Sequence, residues 1–269
     1  MRILALGLLL LAACDRNTAD KQPPDEAKPA AITFDGALVQ NAAAKIAHGK
    51  RIADVLGCTG CHGAQLEGKR FFELYASNLT RDLATYSNAK IEHVLRTGET
   101  PDGRDLWGMP SELFQHLSEP DMAALIAYLR TLKPAGQPTQ PPLPFPPEVK
   151  QMIAGGELKP AAAFVRESKD IGPVDLGPSH DLGRYIARVT CAECHGAEMK
   201  GREGDTPDLI TAGSYTREQF ETLMTEGVPV GGRKLRLMDE VARGRFAPMT
   251  RHERDALYAY LKARAEKPQ

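Results

Sequence analysis

The stretch Cys58-Thr59-Gly60-Cys61-His62 returns 133 positions later as Cys191-Ala192-Glu193-Cys194-His195. Each copy continues with Gly-Ala, and a second glycine stands six residues after each histidine. A recurrence of this length and order indicates a duplicated unit, and the rest of the chain can be aligned outward from it.

Two further blocks repeat in the same order. Gly103-Arg104-x-Leu106-x-x-Met109 matches Gly232-Arg233-x-Leu235-x-x-Met238 at an offset of 129 positions, and the apolar run 124–129 matches 256–261. Three matching blocks establish an internal duplication, so we expect two similar domains of a size that can bury a core around a cofactor.

The local patterns within both domains favour helices. Apolar residues recur at helical spacing in the closing segments, each of which begins with a capping-box pattern, Ser118-x-x-Asp121 and Thr250-x-x-Glu253. No alternating strand pattern stands out, so the predicted fold class is all-α, twice over. The other predicted helices cover 41–56, 88–97, 181–189 and 216–226.

A Cys-x-x-Cys-His run is typical of covalent haem attachment, because two thiols three positions apart reach the two vinyl groups of one porphyrin. The following histidine then lies under the iron as an axial ligand. A zinc ribbon requires a second cysteine pair in the same unit, and a thioredoxin-like pair requires a strand–helix context that is absent here. We therefore predict two c-type haems, bound by Cys58, Cys61 and His62 and by Cys191, Cys194 and His195.

Methionine is the common second axial ligand of such haems. In the first domain we predict Met109, because Met122 lies on the apolar face of the closing helix, where methionine usually fills the core. In the second domain the repeat favours Met238, in register with Met109. Met249 is the alternative, but it stands just before the helix cap Thr250, a position that usually packs. Met199 is too close to His195 to reach the opposite face.

The remaining histidines do not recur at equivalent positions, so we predict that they lie at the surface rather than on iron. Two arginines do recur near the predicted methionine ligands, Arg104 and Arg233, and either haem propionate pairing or ordinary solvation explains them. The five histidines set aside are His48, His93, His116, His180 and His252.

The N-terminal residues have the features of an export leader. Arg2 precedes an apolar run too short to span a bilayer, and Leu11-Ala12-Ala13-Cys14 resembles a bacterial lipobox. We therefore expect a signal peptide at 1–13 and lipidation of Cys14, against the alternative of an ordinary signal peptide with a chance cysteine. Asp15 resembles an inner-membrane retention signal, which predicts the periplasmic face of that membrane.

The domain boundaries follow from composition. Polar, aperiodic residues 14–38 predict a flexible tether, and seven prolines among the fourteen residues of 134–147 predict an extended connector. The connector continues to residue 178 with a short helix and a wrapping segment. Domain one then covers 39–133 and domain two 179–269.

With these motifs in place, the chain resembles the class I cytochrome c family over about 40–133 and 179–265, as a tandem di-haem member. The resemblance implies compact helical domains with one haem each, and a membrane-tethered electron carrier between a dehydrogenase or quinol-oxidising donor and a respiratory acceptor. The alternative is a cytochrome subunit of a dehydrogenase complex, and a di-haem peroxidase is a weaker one. A sulfur-oxidising di-haem dehydrogenase can use a cysteine as distal ligand, and this chain has no spare cysteine for that role. With both axial positions filled, electron transfer is favoured over catalysis. A net charge of -1 gives no indication of a nucleic-acid partner.

Overall fold

The computed structural model describes residues 31–71, 74–140 and 144–267, and these are mainly helical, as the sequence predicts. The predicted leader and Cys14 lie outside the described residues. Within the described part of the chain, no helix has both the length and the apolar character needed to cross a bilayer. The helices are α1 (Ala42–Val55), α2 (Cys58–His62), α3 (Leu79–Asp82), α4 (Asn88–Thr97), α5 (Ser111–Phe114), α6 (Glu119–Leu129), α7 (Pro147–Ala154), α8 (Ala161–Ser168), α9 (Asp181–Ile186), α10 (Ala192–His195), α11 (Arg217–Glu226), α12 (Leu237–Val241) and α13 (Arg251–Glu266).

Shorter elements complete the two domains. An antiparallel hairpin pairs β1 (Lys69–Phe71) with β2 (Leu74–Ala76), a feature that the sequence patterns did not predict. It is too short for a period-two pattern to be recognised. Four 3₁₀ turns (Leu83–Thr85, Pro178–His180, Leu209–Ser214 and Val230–Gly232) and two π-helical turns (Ala187–Cys191 and Ala242–Phe246) account for the other helical segments.

The same helix crossing organises both domains. In the first, α1 crosses α6 so closely that a Cβ on Gly49 would lie 1.9 Å from the Ala124 carbonyl oxygen. In the second, a Cβ on Gly183 would lie 2.1 Å from the Ala256 carbonyl oxygen, where α9 crosses α13. Only glycine permits these backbone approaches, which explains why Gly49 and Gly183 stand at equivalent positions in the repeat.

The two domains contact each other through a pair of buried carboxylates. Asp121 and Glu253 are each the third helical residue of a closing helix, and both are fully buried. Arg51 of α1 donates to Glu253 at 2.7 Å, and Tyr185 of α9 donates to Asp121 at 2.8 Å. Arg51 and Tyr185 each stand two residues after the crossing glycine, so the interface follows the repeat.

The capping boxes differ in one respect. Thr250 and Glu253 form a reciprocal box, as predicted. The Ser118 hydroxyl accepts from the Asp121 amide, but the Asp121 carboxylate, one methylene shorter than glutamate, does not close the box. Tyr185 replaces that bond, because its hydroxyl accepts from the Ser118 amide at 3.1 Å while donating to Asp121. The first domain's cap is therefore completed by the second domain.

The predicted tether does not extend to residue 38. Phe34 is fully buried and stacks edge-on against Tyr185, with ring centroids 5.5 Å apart. Its amide donates to Asp121, and the next amide, of Asp35, donates to Glu253. This short segment therefore contacts both buried carboxylates and belongs to the folded unit. One aromatic residue in a polar stretch gives no periodic signal, so the sequence did not indicate this.

The connector packs on the first domain and contains two helices, α7 and α8, where one short helix was expected. Its early part accepts hydrogen bonds from the Asn78 side chain at the Ala135 and Gln137 carbonyls. Further along, the Ala161 amide donates to the Leu106 carbonyl at 2.7 Å. The connector therefore covers the segment that leads to Met109.

Candidate functional site

The first Cys-x-x-Cys-His run forms α2, set off from α1 by Gly57 in the left-handed region (φ 82°). His62 is buried, and its Nδ1 donates to the Ser77 carbonyl 2.8 Å away. This contact fixes the tautomer and leaves Nε2 as the free acceptor, the arrangement that orients metal-ligating histidines. Burial lowers the pKa of His62, which favours the neutral ring that an iron ligand needs.

The second run is joined to the preceding helix in a different way, but its histidine makes the same kind of hydrogen bond. There α9 passes through the π-helical turn Ala187–Cys191 directly into α10, without a glycine break. His195 Nδ1 donates to the Pro207 carbonyl at 2.8 Å, which again leaves Nε2 free. The chain has one residue fewer between Gly183 and Cys191 than between Gly49 and Cys58.

Among the described residues, no disulfide joins the cysteines of either run. Burial raises the pKa of Cys58 to about 12 and that of Cys61 and Cys191 to about 11, and it also raises the pKa of Cys194. Protonated thiols do not undergo disulfide exchange at neutral pH, because the thiolate is the nucleophile. Each pair stands on one helical turn with its histidine, as covalent haem attachment requires.

A large apolar cavity opens beside the first run. Its empty volume is about 1590 Å³ with the part open to solvent included, and it is lined by Cys58, Cys61, His62 and Met109 together. Fourteen of the thirty residues that line it are leucine, isoleucine or aromatic. The two thiols and both predicted axial ligands of one haem therefore border one apolar space, so the residues present fit a bound haem.

The connector contributes to the wall of this cavity. Phe145 lines it and packs edge-on against Trp107, with ring centroids 5.2 Å apart. Glu193 of the second domain also borders it, so the second attachment run lies close to the first domain's cavity. Neither contribution followed from the sequence, since both are long-range contacts between segments with no shared pattern.

The two methionine candidates of the second domain lie in different surroundings. Met249 is almost fully buried, and its amide donates to the Phe246 carbonyl at 3.0 Å. In the first domain, Leu117 occupies the same place with the same bond to Phe114. Met249 therefore has the surroundings of a packing residue.

Met238 is half-buried against the core, as Met109 is. Its backbone setting differs, because Met238 stands inside the first turn of α12 and Met109 precedes Pro110 and α5. Asp239, which replaces that proline, accepts from the Leu235 amide through its carboxylate. The two methionine segments are thus related by the repeat but differently built.

Two other methionines have packing roles. Met122 is buried on α6. Met199 is fully buried with a positive φ of 64°, at the place where the first domain has Leu66 with a φ of 58°. The recurrence of a buried residue in this backbone conformation marks a packed turn after each histidine.

The surface prediction is wrong for His48. Its side chain is buried, and Nε2 lies 2.8 Å from the Asp121 carboxylate at the domain contact. His116 is also half-buried, and burial lowers its pKa to about 4. The repeat could not indicate this, because the second domain has Leu182 where the first has His48.

The recurring arginines are both at the surface. Arg104 borders the first cavity and lies 3.8 Å from Asp102, and Arg233 is exposed. Sequence reasoning also missed Arg245, which donates to the Val55 carbonyl of the first domain and to Glu193 in the second attachment run.

Comparisons with known proteins agree with this geometry. The cytochrome c family model matches residues 46–133 and 181–265, most of the chain in two segments. A protein named diheme cytochrome c-type from Cereibacter sphaeroides is 26% identical over 187 residues, which cover 61% of this chain and 61% of that protein.

A second relative is one of the subunits of nicotinate dehydrogenase from Pseudomonas putida. It is 30% identical over 182 residues, which cover 59% of this chain but 15% of that longer protein. The chain therefore spans less than two thirds of either relative, and the matches concern its two repeated domains.

Proposed function

This chain belongs to the cytochrome c family and carries two covalently bound c-type haems, and we propose that it is a membrane-tethered periplasmic electron carrier. It would accept electrons from a dehydrogenase or a quinol-oxidising donor and pass them to a respiratory acceptor. When bound, the haems supply one-electron redox chemistry at iron.

One observation carries the proposal: both domains present a histidine held through Nδ1 by a backbone carbonyl, directly after a pair of cysteines. In this proposal Cys58 and Cys61 hold one haem, Cys191 and Cys194 the other, and His62 and His195 are the proximal ligands. Met109 lines the same apolar cavity as this set, which supports its role as the distal ligand, and an apolar setting favours a reduced iron of lower charge.

Met238 is proposed as the distal ligand of the second site. It is half-buried in register with Met109, whereas Met249 packs in the core as Leu117 does. With four axial ligands supplied by the chain, both sites would be closed to substrate, which supports a carrier rather than a catalyst.

The membrane tether is proposed from the lipobox-like Leu11-Ala12-Ala13-Cys14 and the polar stretch after it. A lipid on Cys14 would hold the folded unit at the membrane without a spanning helix. Labelling with a radioactive fatty acid in a bacterial host tests this: label and membrane association should both be lost in Cys14→Ser. Label retained by that variant would contradict lipidation at this residue.

The resemblance to a nicotinate dehydrogenase component supports a second candidate, a cytochrome subunit of a dehydrogenase complex. The two functions differ in the lifetime of the partner contact. A resident component co-elutes with its dehydrogenase in stoichiometric amounts from detergent-solubilised membranes. A free carrier elutes alone, yet becomes reduced when membranes are supplied with the substrate of the donor. Failure of both membrane preparations and purified dehydrogenases to reduce the haems would contradict the proposed role.

A further inference from the structure

Arg245 connects the two haem-attachment runs. It stands in the π-helical turn Ala242–Phe246 of the second domain, and its Nε donates to the Val55 carbonyl of the first domain at 3.2 Å. Its Nη1 donates to Glu193 at 2.6 Å, and only 14% of its side chain is exposed. One cation therefore touches the end of α1, just before the first run, and a residue inside the second.

The backbone before Cys58 is shaped for this contact. A Cβ on Gly57 would lie 2.8 Å from Arg245 Nε, closer than non-bonded atoms approach. Glycine at this position serves two purposes, because it adopts the left-handed φ that ends α1 and leaves room for the guanidinium. The residue directly before the first attachment run thus lies against a side chain of the other domain.

The charge of Arg245 lies close to both runs, because its guanidinium bonds to the Val55 carbonyl on one side and to the Glu193 carboxylate on the other. Nη2 is buried and has no hydrogen-bond partner among the described residues. Glu193 is its carboxylate partner, and that side chain also borders the first cavity.

Resting on the proposed function, we propose that Arg245 is a positioning residue that joins the two attachment runs and raises the reduction potentials of both haems together. Reduction adds one negative charge to each site, and a nearby buried cation stabilises the reduced state. Because one guanidinium lies beside both runs, its removal affects both sites, and it leaves the Glu193 carboxylate without its partner.

The test is a potentiometric titration, followed in the haem absorption bands, of the full-length di-haem protein and its Arg245→Gln variant. Both midpoint potentials should shift to more negative values while the haem content stays at two per chain. Glu193→Gln removes the opposing charge, so both potentials should shift to more positive values. Two variants with opposite expected signs keep the test valid if one of them folds poorly.

Arg243→Gln is the matched control, because Arg243 lies in the same turn but is exposed and contacts only the second domain. It removes the same charge and should leave the first haem's potential unchanged. Arg245→Lys retains the charge and should restore both potentials most of the way. A shift confined to one haem, or none, in Arg245→Gln with two haems bound would overturn the inference. A wild-type protein without two haems would instead contradict the proposed function.

Discussion

Replacing Gly49 by alanine should destabilise the first domain, because the new Cβ meets backbone rather than a movable side chain. It would lie 1.9 Å from the Ala124 carbonyl oxygen and 2.9 Å from the Tyr128 Cβ. Normal non-bonded separations then require α1 and α6 to move apart by at least about 1 Å. The crossing also fixes the end of α1 and therefore the start of the haem-attachment run.

The expected size of the effect combines two opposing contributions. Overpacking a tight contact costs about 1–3 kcal/mol, and a rigid backbone acceptor places this site near the upper end. Alanine in place of glycine in a helix stabilises the helix by about 1 kcal/mol, which offsets part of this loss. We therefore expect Gly49→Ala to lower the free energy of unfolding by about 2 kcal/mol.

Denaturant unfolding, followed by circular dichroism and by the haem absorption bands, measures this change. Gly244→Ala is the control, since Gly244 is exposed and a Cβ there meets nothing within 4 Å. The control should be as stable as the wild type or more stable. If Gly49→Ala unfolds at the same denaturant concentration as Gly244→Ala, the close crossing does not exist as described.

Three further predictions follow from buried groups. Met238→Ala should abolish the second haem's share of the methionine-to-iron charge-transfer band. Met249→Ala should keep the whole band and lower the free energy of unfolding by about 2–5 kcal/mol, because it truncates a core side chain. The reverse pattern would exchange the roles of the two methionines. Burial raises the pKa of Glu112 from its ordinary 4.5 to about 7. The native state therefore holds this proton more tightly than the unfolded state, so stability should fall by up to about 3 kcal/mol as pH rises from about 4.5 to 7. Glu112→Gln should remove this fall in stability, so the free energies of unfolding measured at pH 5 and pH 8 should differ less than in the wild type. An unchanged difference between the two pH values would contradict the raised pKa of Glu112. Asp121→Asn should lower the free energy of unfolding by about 3 kcal/mol, measured by thermal unfolding, because it breaks a buried pair with His48 and weakens the bond from Tyr185. An unchanged stability would show that the domain contact does not depend on this charge.

The sequence could predict the elements that are local or repeated. The helix predicted over 88–97 coincides with α4, and that over 216–226 agrees with α11 within one residue. Alignment of the repeats also predicts that Met249 packs; this stays a prediction, and Met249 is buried at the place of Leu117. Periodicity, capping and duplication each depend on residues close in the chain or related by a fixed offset, so a single sequence contains them.

The contacts between domains could not be predicted in this way. In the sequence, nothing distinguishes Arg51, Tyr185 and Arg245 from ordinary exposed helix residues. The same holds for His48, so the sequence predicts a surface position for it. Each makes its decisive contact with a residue far away in the chain, and no local pattern marks it. The repeat contained one indication: Arg51 and Tyr185 stand at equivalent positions, but their chemical difference concealed their shared role.

The most direct test of the central claim is the haem content and absorption spectrum of the purified mature protein. We predict two covalently bound haems per chain, both low-spin, with a methionine-to-iron charge-transfer band of the size expected for two sites. One covalently bound haem should remain in each of two double variants, Cys58→Ala/Cys61→Ala and Cys191→Ala/Cys194→Ala. A single haem in the wild type would contradict the two-site account, and a high-spin ferric component would contradict closed His–Met ligation and favour a peroxidase.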